Sequence, residues 1–263
     1  MKKIIFFAAF ILCQGFLFAA PHPWDTAAKR SYYELRIYHF GNADQQKITE
    51  NFLEHTFIHS LHKWGVSSIG IFKPVGDDTA ADKKIYVLIP YSSLNQFENI
   101  KARSFSATGI SEDDKGYINA AYNKPAFTRI ESVLLKAFEN MPAMAKPALA
   151  APRNERVYEL RSYESASEAL FHNKVEMFNK GGEIEIFKRL GFNAVFYSEV
   201  VSGSHMPNLM YMTSFENKQA REEHWKGFSA DEAWKKLSAL PQYQNNVSHI
   251  DITFLRPTAY SDF

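Results

Sequence analysis

The chain has 263 residues, 30 basic and 29 acidic side chains, a formal charge of +1 and 46% hydrophobic residues. A near-neutral chain without a basic block is poor material for nucleic-acid binding, which rests on phosphate neutralisation. Cys13 is the single cysteine; it lies in a leader, so the mature chain is expected to lack disulfides, thiol nucleophiles and cysteine metal sites.

Residues 1–20 read as a secretory signal peptide. Lys2 and Lys3 form a basic start, Ile4 to Leu12 an apolar core, and Ala19-Ala20 offer small residues for cleavage. Gln14 and Gly15 break the apolar run, which falls short of the about 20 residues a firm span needs. No other segment is apolar enough to cross a bilayer, so no transmembrane segment is expected after signal removal. Losing Lys2 and Lys3 takes the formal charge to −1. The expected location is periplasmic or secreted.

The first domain is expected over 31–138. Its opening strand alternates, with Tyr33, Leu35 and Ile37 on one face and Glu34, Arg36 and Tyr38 on the other. Asn42 or Asp44 can cap a helix from about Asp44 to Trp64, with Gly65 to end it. Leu53, Phe57, Leu61 and Trp64 make its core stripe. Strands are expected near Ser68–Pro74 and Ile85–Tyr91, then a helix near Leu94–Arg103 capped by Ser93. The last strand starts near Phe127.

Residues 139–154 form a linker rich in proline and alanine, expected as an extended spacer. The second domain, 155–263, writes the same order again. Tyr158-Glu159-Leu160-Arg161-Ser162-Tyr163 repeats Tyr33-Glu34-Leu35-Arg36-Ile37-Tyr38 at a distance of 125 residues. Tyr86 and Tyr211 each lie 53 residues after the opening tyrosine, and Gly65 matches Gly191. The closing runs Arg129–Leu135 and His249–Leu255 are 120 apart, so the second copy is about five residues shorter. A helix is expected from Ser167 to Leu190 with a break at Gly181-Gly182. Strands follow at Ala194–Glu199 and Leu209–Phe215, and helical segments at Lys218–Trp225 and Asp231–Leu237.

Each copy reads strand, helix, strand, strand, helix, strand, the ferredoxin-like order. Helices cover one face of such a sheet and the other needs a partner. Two ferredoxin-like repeats in one chain can supply it by packing sheet to sheet, which gives an α+β fold, a dimeric α+β barrel within one chain.

The alternation then aims Leu35, Ile37 and Leu160 at the helices. Glu34, Arg36, Tyr38, Glu159, Arg161 and Tyr163 are expected inside the barrel. From the closing strands Arg129, Glu131, His249, Asp251 and Thr253 are expected inward, and Ile130, Ile250, Ile252 and Phe254 on the helix side. Arg36 could then reach Glu131, and Arg161 could reach Asp251. One reading is two structural ion pairs. The other is a ligand pocket built from Arg36, Glu131, Glu159, Arg161, Tyr163, His249 and Asp251.

Three further groups carry chemistry. His224, Trp225 and Trp234 could stack on a planar ligand. His55, His59 and His62 share a helical face with metal-ligand spacing, but that face lies opposite the core stripe, and no metal site is expected. Ser202-Gly203-Ser204-His205 reads as a turn, without the context of a nucleophile elbow.

The stretches Tyr158–Tyr163, Phe187-Lys188-Arg189-Leu190-Gly191-Phe192, Tyr211–Glu216 and Phe254–Ser261 resemble the NIPSNAP family, and its exported bacterial members with two tandem copies most of all. The likeness covers 153–263 and weakens over 31–138, where Leu135-Lys136-Ala137 stands in place of the closing Leu-Arg-Pro. It makes the second copy the better candidate for a site. It implies the dimeric α+β barrel fold and leaves function open. The expected function is binding of a small molecule in the barrel, with the chain alone or as a homodimer. Haem is one candidate, with His249 or His224 as axial ligand. The alternatives are a cofactor-independent oxygenase or isomerase, with Asp251 or His249 as proton acceptor and Arg161 as anion holder, and a non-catalytic interaction module.

Overall fold

A computed structural model describes residues 29–76, 80–104 and 114–263. The leader expected at 1–20 lies outside them. Strand β1 (Tyr32–Phe40) opens the first half. Asn42 caps α1 (Ala43–Phe52) by accepting the Gln45 N–H at 3.0 Å, and Gln45 Oε1 accepts from Gly41 at 2.8 Å, a reciprocal cap. The helix continues through one wide turn, Leu53–Phe57, in which the Ile58 N–H reaches back five residues to Leu53. It then runs on as α2 (Ile58–Lys63). Gly65, at φ +80°, ends it. Leu53, Phe57 and Leu61 are buried, as the stripe predicts. Then come β2 (Gly70–Pro74), β3 (Lys83–Tyr91), α3 (Leu94–Ser104), the short α4 (Lys115–Ile118) and β4 (Arg129–Ala137).

The second half runs β5 (Val157–Glu164), α5 (Glu168–Asn179), α6 (Glu183–Arg189), β6 (Asn193–Ser202), β7 (Asn208–Phe215), α7 (Lys218–Ala230), α8 (Glu232–Ser238) and β8 (His249–Pro257). The expected break is real: Gly182 sits at φ +88°, and a Cβ on Gly181 would come within 2.5 Å of the Met177 carbonyl. Only glycine fits both demands.

All eight strands close one antiparallel barrel in the order β1-β3-β2-β8-β5-β7-β6-β4. Two seams join the halves. Phe72 to Pro74 of β2 pair with Leu255 to Pro257 of β8, and Leu134 to Ala137 of β4 pair with Ser198 to Ser202 of β6. The linker is no free spacer. Ala145 donates to the Val195 carbonyl, Ala150 and Ala151 donate to the Glu216 carboxylate, and Leu149 enters the barrel core.

The interior of the barrel overturns the expected facing of the first strands. It is filled by Tyr33, Leu35, Phe72, Tyr86, Leu88, Val133, Leu135, Tyr158, Leu160, Met212, Leu255 and Phe263. Glu34, Arg36, Tyr38, Glu159, Arg161 and Tyr163 lie on the opposite face, under the helices. The reason is desolvation: eight strands converge on a dry core, where an ionised group has no water. The helices can bring counter-charges to the outer face.

Register also removes the expected pairs. Arg36 stands beside Ser132 and Arg161 beside Ile252, whereas Glu131 neighbours Ile37 and Asp251 neighbours Ser162. Lateral neighbours share a face of the sheet, so Arg36 and Glu131 are on opposite faces, as are Arg161 and Asp251. Glu131, His249 and Asp251 do lie on the barrel-facing side, but at its exposed mouth. The helix-side expectation for Ile130, Ile250 and Ile252 agrees with their register against Tyr38, Tyr163 and Arg161.

Phe72 is fully buried at the seam of the two halves, with Tyr158 at 5.0 Å and Phe263 at 5.7 Å between ring centroids. Phe72→Ala is expected to cost about 3–5 kcal/mol, read as a lower urea midpoint. Gln219→Ala on the exposed side of α7 should stay within about 0.5 kcal/mol.

Candidate functional site

Both halves carry a polar layer between sheet and helices, and each is built around a carboxylate from the opening strand. In the first half Glu34 of β1 has no exposure to solvent. Its carboxylate accepts from Ser132 Oγ at 2.7 Å, Lys101 Nζ at 3.0 Å and Tyr91 OH at 3.1 Å. Arg36 Nε lies 2.9 Å away. Burial would push the Glu34 carboxyl up. The charges of Arg36 and Lys101, with the hydrogen bonds from Arg36 and Ser132, outweigh it and hold the group at about 2.

Arg36 itself is 7% exposed; its Nε is taken up by Glu34 at 2.9 Å, and its Nη2 has no partner. The wide turn of the helix sets Phe57 over it, with the ring centroid 5.1 Å from the guanidinium carbon. The same layer holds Tyr38, whose hydroxyl accepts from Tyr117 OH at 3.1 Å, and Phe52, on which the Tyr117 ring stacks at 3.8 Å. Buried donors normally find acceptors. A buried cation with its Nη2 left over is therefore a position that calls for an oxygen.

The second half pairs its charges more fully, although the Thr213 hydroxyl beside Glu159 has no partner. Glu159 of β5 is likewise without exposure. It accepts from Arg161 Nε at 2.6 Å, from Arg221 Nε and Nη2 at 2.8 Å each, and from Trp225 Nε1 at 2.8 Å. Burial raises its carboxyl, but the Arg221 hydrogen bonds and the Arg161 charge bring it below the usual value. The Arg161 guanidinium stacks on Trp225 at 3.7 Å, and its Nη1 donates to Tyr163 OH at 3.0 Å. Tyr163 and Tyr211 share a hydrogen bond of 2.8 Å. Beneath α5, Lys174 donates to Glu183 at 2.8 Å. Burial dominates there and raises the Glu183 carboxyl, against the lowering effect of Lys174.

The structure therefore brings together Glu159, Arg161, Tyr163 and Trp225, and separates them from Glu131, His249 and Asp251. Trp225 stacks on Arg161, and Trp234 packs on Phe228 at 4.4 Å; both serve the protein's own layer. His224 Nδ1 donates to the Ala220 carbonyl, and its ring lies edge-on to Phe192 and Phe215. His249 is exposed and sits 3.1 Å from Asp251. His55, His59 and His62 are exposed, and His62 pairs with Asp262.

Sequence reasoning missed Lys101, Arg221 and the pair Lys174–Glu183. Lys174 had a legible signal, because it falls on the stripe of Phe171, Met177 and Phe178 where an apolar residue belongs.

Residues 158–262 match the model of the NIPSNAP family, so the second half carries a NIPSNAP domain. No curated protein matches the sequence significantly. Among solved structures, a "putative monooxygenase" from Fusobacterium nucleatum subsp. nucleatum ATCC 25586 is similar over 87% of this chain and 92% of its own, with TM-score 0.57 and 11% identity. A "putative monooxygenase" from Lactobacillus acidophilus NCFM covers 87% and 94%, with TM-score 0.54 and 11% identity. An "anthrone oxidase-like protein" covers 88% and 93%, with TM-score 0.51 and 10% identity. At such identities the likeness establishes the α+β barrel fold alone.

Glu34 binds its proton more weakly in the folded protein than in the unfolded chain. Its stabilisation is therefore complete above the ordinary value of 4.5 and vanishes as pH falls through about 2. The change amounts to about 3 kcal/mol. Urea unfolding followed from pH 6 to pH 2 should show this loss in the wild type and a flatter acid limb, by about that amount, in Glu34→Gln.

Proposed function

We propose that this NIPSNAP-domain protein binds a small molecule in the outer layer of its first half, between β1 and the α1–α2 helix, with Arg36 holding an oxygen of the ligand. The observation that carries the reading is the buried, unpartnered Nη2 donor of Arg36. A guanidinium presents a planar fork matched to a carboxylate or to a delocalised oxyanion. Phe52, Phe57, Tyr38 and Tyr117 around it favour a flat, largely apolar molecule with one such oxygen: a phenolate, an enolate or a carboxylate. The wide helical turn above Arg36 adds support, since such turns cluster at functional sites. The basic, apolar leader at residues 1–20 supports an exported protein. The filled barrel interior moves the proposed site outward from where the sequence pattern first put it.

Binding is favoured over turnover by the acid–base character of this layer. A proton acceptor works best with a pKa near the operating pH. Glu34 is held at about 2, and burial keeps Tyr91 and Tyr117 protonated. A second reading, an oxygenase without cofactor, rests on Glu183, a buried carboxylate whose pKa is raised, and on the names borne by proteins of similar fold. Oxygen uptake with anthrone that disappears in Glu183→Gln would favour it.

The test of the binding reading is native mass spectrometry of the full chain, with thermal shifts on titrating anthrone and aromatic carboxylates. Wild-type protein is expected to retain an extra mass or to be stabilised by one of these probes. Arg36→Met removes a charge-assisted hydrogen bond and should weaken binding about 10- to 100-fold, with the free protein still folded by circular dichroism. Arg129→Met, on the exposed strand end, should bind as the wild type does. Equal binding by Arg36→Met, or no extra mass and no thermal shift in the wild type, would sink the proposal.

A further inference from the structure

We propose that Glu164, His249 and Asp251 form a site for a first-row divalent metal ion at the mouth of the barrel, with His205 as the outer partner of Glu164. Glu164 ends β5 and His249 begins β8, and the two are lateral neighbours. Asp251 follows two residues on and points to the same side. One ligand atom from each of the three lies within 4.8 Å of the others. His249 Nε2 is 3.1 Å from Asp251 Oδ1. From the turn between β6 and β7, His205 Nδ1 comes within 3.0 Å of Glu164 Oε1.

The donor set decides the class of ion. One imidazole and two carboxylates neutralise a dication and suit Zn²⁺, Mn²⁺, Fe²⁺ or Co²⁺. Three protein donors on one side leave coordination positions for water or an added ligand, as in open metal sites. Glu164 is half-buried while His249 and Asp251 are exposed, so a hydrated ion can reach them. His205 holding the carboxylate fits the way outer residues orient ligands.

The first half carries its own comparison. His39 stands at the position of Glu164, Glu131 at that of Asp251 and Arg129 at that of His249. There the two carboxylates meet opposite nitrogens of one ring, Asp82 at Nδ1 and Glu131 at Nε2. They cannot converge on one ion, and Arg129 would repel it. The second mouth differs in that both obstacles are absent. This inference is independent of the Arg36 site, which lies in the other half and on the other face of the sheet.

The test uses the full chain without a histidine tag, stripped with chelator and titrated with Zn²⁺ by calorimetry. One ion per chain is expected. His249→Ala and Asp251→Asn should each weaken it at least tenfold, and His205→Ala about tenfold. His59→Ala should leave affinity unchanged. The proposal is overturned by a wild type that takes up no Zn²⁺. It is overturned equally by a folded His249→Ala/Asp251→Asn double variant with undiminished affinity, or by uptake lost in His59→Ala instead.

Discussion

Two carboxylates shut off from water, Glu34 and Glu159, hold the helices of this protein onto its barrel. Each sits on the opening strand of its half, with a cation on the same strand and another from a helix, Lys101 on α3 and Arg221 on α7. A buried carboxylate cannot stay ionised alone, so the helix that brings its counter-charge is obliged to dock there. Such pairs gain little net stability over well-packed apolar residues, but breaking one strands a charge. Their value here is that they specify where the helical layer sits. The barrel core beneath can then be free of charged groups, which stay at its mouth, and this is what lets eight strands close on one another.

The two halves solve the same problem with different success, and the difference marks the candidate site. Arg221 grips Glu159 with two nitrogens and Trp225 adds a third donor and a stacking face for Arg161. In the first half the helix contributes Lys101 instead, which offers one point charge. A lysine cannot reproduce a guanidinium fork. Arg36 is left with its Nε on Glu34 and its Nη2 unspent. The arginines of the half that carries the NIPSNAP match are thus paired around Glu159, and among the described residues the buried guanidinium with a donor left over, Arg36, lies in the other.

Much of the fold is legible in the residues. The doubled Tyr-Glu-Leu-Arg, the alternation of the strands, Asn42 among the candidate caps, Ser167 as a helix start and Gly181-Gly182 as a break locate the elements because each acts locally. Facing is not local. A strand with apolar residues on one side and charged ones on the other can turn either way, and only closure of the barrel decides. Arg36 against Glu131 was a reasonable pair by type and wrong by register, since one residue of shift moves a side chain to the other face. The cluster Glu164, His205, His249 and Asp251 escaped for a different reason. His249 and Asp251 are legible as alternate residues of one strand, but Glu164 and His205 come from a strand end and a turn, so no spacing in the sequence joins them to that pair, unlike the helical spacing of His55, His59 and His62.

The seams between the halves set how this protein must come to exist. β2 pairs with a strand that the chain supplies only after Leu255, and β4 waits for β6. Contacts between such distant residues are slow to form because a long loop must close first, and until then the edges of both half-sheets present bare amide and carbonyl groups to any passing strand. Carrying both halves on one chain turns an encounter between molecules into an internal one, so the effective concentration of the partner is set by the tether and not by the abundance of the protein. The linker that docks along β6 shortens that tether further. Dilution, which would part a barrel made from two separate chains, leaves this one closed.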